Sequence, residues 1–307
     1  MIYPAVAVFA FNRPLHLKNT LDAFAKCPGA TELPIYFFCD GPRNSADQPG
    51  VAAVRELIHS ERRFEKKWVI EQDHNQGLAA SIISGVTYVL ERFSQVIVLE
   101  DDIEVAPDFL PFILEGLSRY EKDERVASIC GYMYPISPSG LPESFFMLGA
   151  DCWGWATWKR SWQHFEADGS ILLKNLKHQK LSWKFDLEGS YPYSKMLKNQ
   201  TTGKNQSWAI RWHASTYLRN MLTLFPAISL VKNTGFDGSG THCEKENTKE
   251  SWDPFWFCKK PSLPDDVGPN REAELRVSRY QRNRLPFLKK LTRILRATPQ
   301  LLFAQRG

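Results

Sequence analysis

The chain has 307 residues, of which 43% are hydrophobic and 13% aromatic, enough for one large packed domain or two intimate ones. A formal charge of +5 is too mild for a nucleic-acid-binding protein, and six scattered cysteines without a CxxC pair argue against structural zinc and against a disulfide scaffold. No run reaches the roughly 18 apolar residues of a membrane span, and the first residues lack a basic region followed by an apolar one, so a cytoplasmic protein is expected.

Residues 6–11 form a short apolar run suited to a parallel strand buried on both faces, closed by Asn12-Arg13-Pro14. Residues 15–25 follow with helical spacing. A second strand at 34–39 stops at Asp40-Gly41-Pro42, and 51–64 reads as a helix. A third strand at 67–70 breaks at Asn75-Gln76-Gly77, and 78–93 makes a third helix. The fourth strand, 96–99, runs straight into Glu100-Asp101-Asp102. Strand–helix alternation at this spacing predicts an α/β fold with a mostly parallel, Rossmann-like sheet flanked by helices. Ligands of such sheets sit at the carboxyl ends of the strands, so the four polar turns are expected to line one pocket. Neither GxGxxG nor GxxxxGK[ST] occurs, which argues against a dinucleotide dehydrogenase and a P-loop NTPase.

Adjacent acids at the end of a buried strand repel each other and are costly to desolvate. A hard divalent cation shared with a diphosphate offsets that cost, whereas a solvated acidic turn with Asp108 capping the next helix is the plainer reading.

The second half changes character. A helix is expected at 108–119 and a strand at 126–132, followed by a Pro/Ser/Gly loop at 135–143. Residues 145–162 are rich in aromatics, with a helix expected to begin at Thr157. Residues 167–205 are polar and irregular. Ser207 is placed to cap a helix over 207–221. Short apolar pieces at 222–226 and 229–231 precede a glycine-rich loop at 233–242. Beyond Arg276, basic residues alternate with Leu285, Leu288, Leu291 and Leu295. That pattern suits either an amphipathic helix on an anionic membrane surface or a helix packed on the protein with a solvated basic face.

Phe11-Asn12-Arg13-Pro14, Asp40-Gly41, the run from Glu100 through Ala106-Pro107-Asp108-Phe109, and Gly154-Trp155 followed by a helix carry a resemblance. The chain resembles GT-A fold glycosyltransferases, in particular the N-acetylglucosaminyltransferase I family and bacterial sugar transferases of polysaccharide and lipopolysaccharide assembly. The resemblance is good over roughly 6–165, looser over 208–242 and absent in the tail. It implies a nucleotide-sugar-binding part at 1–125, an acceptor-side part at 126–265 and a basic tail at 266–307. It implies a hexosyl- or N-acetylhexosaminyltransferase that uses Mn²⁺ or Mg²⁺, takes a UDP-sugar donor and a saccharide or lipid-linked saccharide acceptor, and inverts the anomeric centre.

Carried over by position, Asp102 would ligate the cation, Glu100 and Asp101 would face the ribose and the sugar, and Asp40 would meet the uracil. Phe11, Asn12 and Arg13 would contact the base or the diphosphate. Asn75 belongs to an Asn-x-Gly turn of the donor site, and His242 would add a metal or diphosphate contact. An inverting transferase also needs a carboxylate base near the acceptor hydroxyl. The family places an Asp there in a Trp-Asp-Asp-Trp context, but residues 205–212 hold no carboxylate. Asp151 in the aromatic loop is the first substitute, then Asp237, then Glu188. Trp153, Trp155, Trp208 and Trp212 suit either stacking on sugar rings or a place in the core, and Trp158 and Trp162 are expected in the core. The absent base also motivates a second reading, a weak or inactive sugar-nucleotide-binding module.

Overall fold

The computed structural model describes residues 4–237 and 260–284. Its parallel half consists of β1 (Ala5–Ala10), β2 (Ile35–Cys39), β3 (Lys67–Glu71) and β4 (Gln95–Glu100), linked by α1 (Pro14–Phe24), α2 (Gln48–Ser60) and α3 (Leu78–Leu90). β1 pairs in parallel with β2 on one side and β4 on the other, and β3 lies outside β2. The chain winds outward from β1 to β3, then returns to the opposite flank of β1. The crevice at the carboxyl ends of β1 and β4 is therefore the switch point of the sheet.

The continuous apolar character of β1 follows from its burial on both faces. Val6, Val8 and Ala10 pack in a layer with Leu17, Leu21 and Phe24 of α1 and with Val54 and Ile58 of α2. Ala5, Ala7 and Phe9 point the other way, into a layer with Ile82, Val86 and Val89 of α3.

The rest of the described chain comprises β5 (Ile103–Val105), α4 (Phe109–Arg119), β6 (Val126–Cys130), β7 (Ser144–Leu148), β8 (Trp155–Trp158), α5 (Lys159–Trp162), α6 (Gly169–His178), α7 (Ser182–Phe185), α8 (Tyr193–Thr201), α9 (Trp208–Tyr217), β9 (Leu222–Pro226), β10 (Val231–Asn233) and α10 (Arg271–Arg284). The sheet has eight strands in the order β3-β2-β1-β4-β8-β6-β9-β7. β8 is antiparallel to β4 and β6, β9 is parallel to β6, and β7 is antiparallel to β9. This mixed sheet with flanking helices is the α/β architecture expected for the GT-A type. Ser207 caps α9 as expected, accepting the Ile210 N–H at 3.3 Å. Asp108 stands at the N-cap of α4, but its side chain makes no capping hydrogen bond.

The stretch 155–162 departs from expectation. Trp155–Trp158 is a central strand, and only one helical turn follows. Its side chains alternate, Trp155 entering one layer and Ala156 and Trp158 the other, a period of two rather than 3.6. The proposed sugar-stacking role of Trp155, Trp208 and Trp212 is overturned by their burial, since they are 0%, 3% and 0% exposed. With Trp162 they fill the space between the sheet, α3 and α9, the Trp155 and Trp208 rings stacking at 5.5 Å. Trp158 and Trp162 are core residues, as expected.

Trp155→Ala removes a fully buried indole and should lower stability by about 3–5 kcal/mol. Urea denaturation followed by fluorescence checks this; a loss below about 1 kcal/mol would contradict the core assignment.

Candidate functional site

Arg13 is the N-cap residue of α1, directly after β1, and Pro14 starts the helix with its fixed φ. That placement carries the guanidinium across to the end of β4. Arg13 Nη2 donates to Asp101 Oδ1 and, at 2.8 Å, to Asp102 Oδ2. Arg13 Nη1 is buried with no hydrogen-bond partner. Asp101 also accepts the Phe11 backbone N–H, and its carbonyl accepts the Thr20 hydroxyl at 2.8 Å. Asp102 is held from the other side. β5 pairs antiparallel with β10, and the Asp102 carbonyl accepts both the N–H and the hydroxyl of Thr234, at 2.9 and 3.1 Å. Next to Thr234, Gly235 passes so close that a Cβ there would lie 2.2 Å from Asp102 Oδ2.

The electrostatics follow from crowding. Burial, reinforced by Asp102 and Asp101, pushes the Glu100 carboxyl up to about 8. Burial pushes Asp101 up to about 6 although Arg13 pulls it back. Burial opposes the charge on Arg13, but Asp101 and Asp102 outweigh it and hold the guanidinium protonated. The cluster is an acid triplet with one internal cation at the sheet's switch point.

The neighbouring turns are tied mainly to one another. Asp40 accepts the N–H groups of Gly41 (2.9 Å), Gln76 (2.7 Å) and Gly77 (2.9 Å), and the Asn75 side-chain amide at 2.9 Å. A carboxylate offers about four acceptor sites, so Asp40 and Asn75 lock the β2 and β3 turns together. These bonds give Asp40, the residue expected at the uracil, a structural role as well. Asn12 similarly donates to Asp47 at 2.9 Å, and Arg43 clamps the same carboxylate while covering the Phe11 ring at 5.1 Å.

The second half of the chain encloses a cavity of about 430 Å³, with Tyr134, Asp151, Glu188, Tyr193, His213 and Glu274 among its lining residues. Asp151 accepts the Tyr134 hydroxyl at 2.9 Å and the Cys152 N–H at 2.7 Å. Burial raises the Asp151 carboxyl above its ordinary value, which these hydrogen bonds only partly offset.

Two of the three base candidates, Asp151 and Glu188, thus meet in one cavity. Asp237 ends a 3₁₀ turn at Gly235–Asp237, is half exposed, and pairs with His16 of α1 at 3.1 Å. Trp153 packs edge-on against Tyr132 and Phe236. His242 lies outside the described residues, as do 285–307 of the basic tail. The described part of the tail, α10, is packed on the protein: Arg276 donates to the Ser137 and Ser139 carbonyls, and Arg282 to the Ser190 hydroxyl. No described helix is long and apolar enough to cross a membrane. His213, Tyr134 and Tyr193 were not expected from the sequence. No local pattern marks them, because a lone His within a helix, a Tyr in a loop and a Tyr at a helix start carry no spacing signal.

Among the described residues, no group of three His, Cys, Asp or Glu side chains is arranged to enclose a metal ion. The donor set instead suits a hard cation shared with a ligand. Asp102 presents carboxylate oxygen at the sheet edge, and such cations commonly use one or two carboxylates with the remaining ligands from phosphate and water.

No family model matches the chain. The chain is similar to the Arabidopsis thaliana alpha-1,3-mannosyl-glycoprotein 2-beta-N-acetylglucosaminyltransferase, at 23% identity over 172 residues. The match takes in 52% of this chain and 38% of the plant protein, so the chain spans well under half the length of that relative. The resemblance to N-acetylglucosaminyltransferase I is thus also found in a curated protein. Among solved structures, galactosyltransferase LgtC in complex with donor and acceptor sugar analogs gives a TM-score of 0.32 at 12% identity, covering 56% of this chain and 65% of LgtC. Glucosyl-3-phosphoglycerate synthase from Mycobacterium tuberculosis, in complex with Mn²⁺, UDP and glucosyl-3-phosphoglycerate, gives 0.32 at 8% identity, covering 58% and 67%.

The raised Glu100 has a consequence for stability. Between its ordinary value of 4.5 and about 8, the folded chain binds a proton that the unfolded chain releases, so stability falls as pH rises through that window. His213, partly buried and lowered from 6.5 to about 4, works in the opposite sense below pH 6.5. In chelator, the melting temperature should therefore drop by several degrees from pH 6.5 to 8, and Glu100→Gln should flatten that slope. A wild-type melting temperature that rises across this window would contradict the assignment.

Proposed function

We propose that the protein is a divalent-cation-dependent glycosyltransferase that moves a hexosyl or N-acetylhexosaminyl unit from a UDP-sugar to a saccharide acceptor with inversion. The observation that carries this reading is the Arg13–Asp101–Asp102 cluster at the switch point of the sheet, where α/β folds take their ligands. Asp102 is the protein ligand for Mn²⁺ or Mg²⁺. A cation held there would supply charge neutralisation for the departing diphosphate. Arg13 supplies the second positive group. Its unpartnered Nη1 is a donor suited to a phosphate oxygen, and guanidinium matches phosphate in two-pronged fashion. Glu100 and Asp101 line the sugar and ribose side.

Asp151 acts as the base. It removes the proton of the attacking acceptor hydroxyl on its carboxylate oxygen. The Tyr134 hydroxyl and the Cys152 N–H orient the carboxyl group. A carboxyl raised by burial holds that proton better at neutral pH than an ordinary one. A lipid-linked acceptor at an anionic membrane belongs to the same reading through the basic residues beyond 284.

UDP release from a panel of UDP-sugars with Mn²⁺ tests this. Asp102→Ala should lose both Mn²⁺-dependent UDP binding and turnover. Asp151→Asn should keep UDP binding and lose roughly 10²–10⁴-fold in kcat. Wild-type kcat should fall on the acid side through the raised Asp151 carboxyl. UDP binding by Asp102→Ala that equals wild type with and without Mn²⁺ would remove the metal site. UDP binding without turnover of any UDP-sugar would favour a binding module.

A further inference from the structure

His213 of α9 is partly buried at the wall of the cavity. Its Nδ1 lies 3.0 Å from the Ala150 nitrogen and 2.9 Å from the Ala150 oxygen, so one end of the imidazole is fixed to the residue before Asp151. Its other nitrogen, Nε2, is buried with no partner in the structure. Buried polar atoms without partners are uncommon and call for an explanation. The ring borders the 430 Å³ cavity and is caged by Phe185, Tyr193 and Tyr217, with centroids at 5.1, 4.7 and 6.0 Å. Gly149 (φ +84°) makes room for it, since a Cβ there would sit 2.3 Å from the imidazole Cε1. Rotation of the ring out of the cavity is therefore blocked on several sides.

A second feature of the same cavity points the same way. Leu187 and Glu188, both lining it, adopt left-handed backbone conformations at φ 50° and 53°, unfavourable for residues with a Cβ. The surrounding structure over-determines them. Arg271 of α10 pairs with Glu188, and the Ser278 hydroxyl donates to the Leu187 carbonyl at 3.1 Å. Backbone held this way clusters at ligand sites. Arg271 also pairs with Glu274 at 3.4 Å, so one cation serves two of the cavity's carboxylates. With Lys184 as the other cation against three carboxylates, the lining favours a neutral guest over an anionic one.

We propose that His213 selects the acceptor, its Nε2 hydrogen-bonding a hydroxyl of a neutral hexose or N-acetylhexosamine unit seated in this cavity beside Asp151. Either tautomer leaves Nε2 with one bond to make, as donor or acceptor, and a sugar hydroxyl serves as both. The tyrosine faces suit the C–H faces of a pyranose. The cavity volume falls in the range of about 300–1,000 Å³ typical of small-ligand sites. This assignment rests on the transferase reading for the word acceptor, and on the cavity alone for the saccharide.

The probes are methyl glycosides of glucose, galactose, mannose, N-acetylglucosamine and N-acetylgalactosamine, with methyl glucuronoside as the anionic control. The readout is the imidazole Cε1–H resonance of His213 in ¹³C-histidine-labelled full-length protein, identified by its loss in a folded His213→Phe variant that keeps a ring in the cage. At least one neutral glycoside should shift that resonance saturably, the uronate should do so more weakly, and the variant should bind the same glycoside roughly tenfold or more weakly in a parallel calorimetric titration. Wild-type protein that releases UDP, yet whose His213 resonance none of the neutral glycosides moves, overturns the assignment of His213. Release of no UDP from any UDP-sugar overturns instead the transferase reading on which the acceptor role rests. His213→Gln, which restores a polar atom facing the cavity, should recover part of the affinity; recovery equal to that of Phe would also count against the assignment.

Discussion

A guanidinium stands between two buried carboxylates at the carboxyl end of β4, and the first hundred residues of the fold bring it there. The triplet Glu100-Asp101-Asp102 ends a strand buried on both faces, where like charges are expensive. Arg13 lowers that cost from the adjacent β1, with Thr20 and the Phe11 backbone holding Asp101. The arrangement compensates charge without quenching it. Glu100 stays protonated well into the neutral range, and Arg13 keeps one buried N–H group unpartnered. A site of this kind is poised for a ligand that brings both negative charge and its own counterion, which a metal-bound diphosphate does.

The second half of the chain builds the other side of the reaction space from different materials. β8 enters the sheet antiparallel between β4 and β6, and the segment leading into it carries Asp151 and Cys152. α9 supplies His213, and α10 closes the cavity wall through Arg271, Glu274 and Ser278. Where a carboxylate would be expected at the start of α9, Ser207 merely caps the helix. Asp151 and Glu188 reach the cavity instead from a loop and from a strained turn.

The parallel half was legible in the sequence because burial on both faces leaves uninterrupted apolar runs, and each run ends in a turn of Asn, Asp, Gly or Pro. The acid triplet was legible because three acids rarely close a buried strand without cause. β8 was not legible: Trp-Ala-Thr-Trp is short, runs directly into a helical turn, and its period of two spans too few residues to stand out. The tryptophans stayed ambiguous for a related reason, since an indole that stacks on a sugar and one that fills a core look alike in sequence. Asp40 stood out in sequence only as the acid of an Asp-Gly turn, and its partners within the fold could not be read there. Its donors come from 75–77, a contact that only the parallel sheet creates. His213 left no trace in the sequence because its meaning depends on Gly149, Ala150 and Tyr193, all distant in the chain.

The central claim is that Asp102 and Arg13 share a metal–diphosphate between them. Anomalous diffraction from a crystal grown with Mn²⁺ and UDP tests it most directly. The account predicts one strong manganese peak within coordination distance of the Asp102 carboxylate, with Arg13 turned from the acid pair onto the diphosphate. UDP bound with no peak at Asp102 and the Arg13–Asp101–Asp102 contacts intact would contradict it.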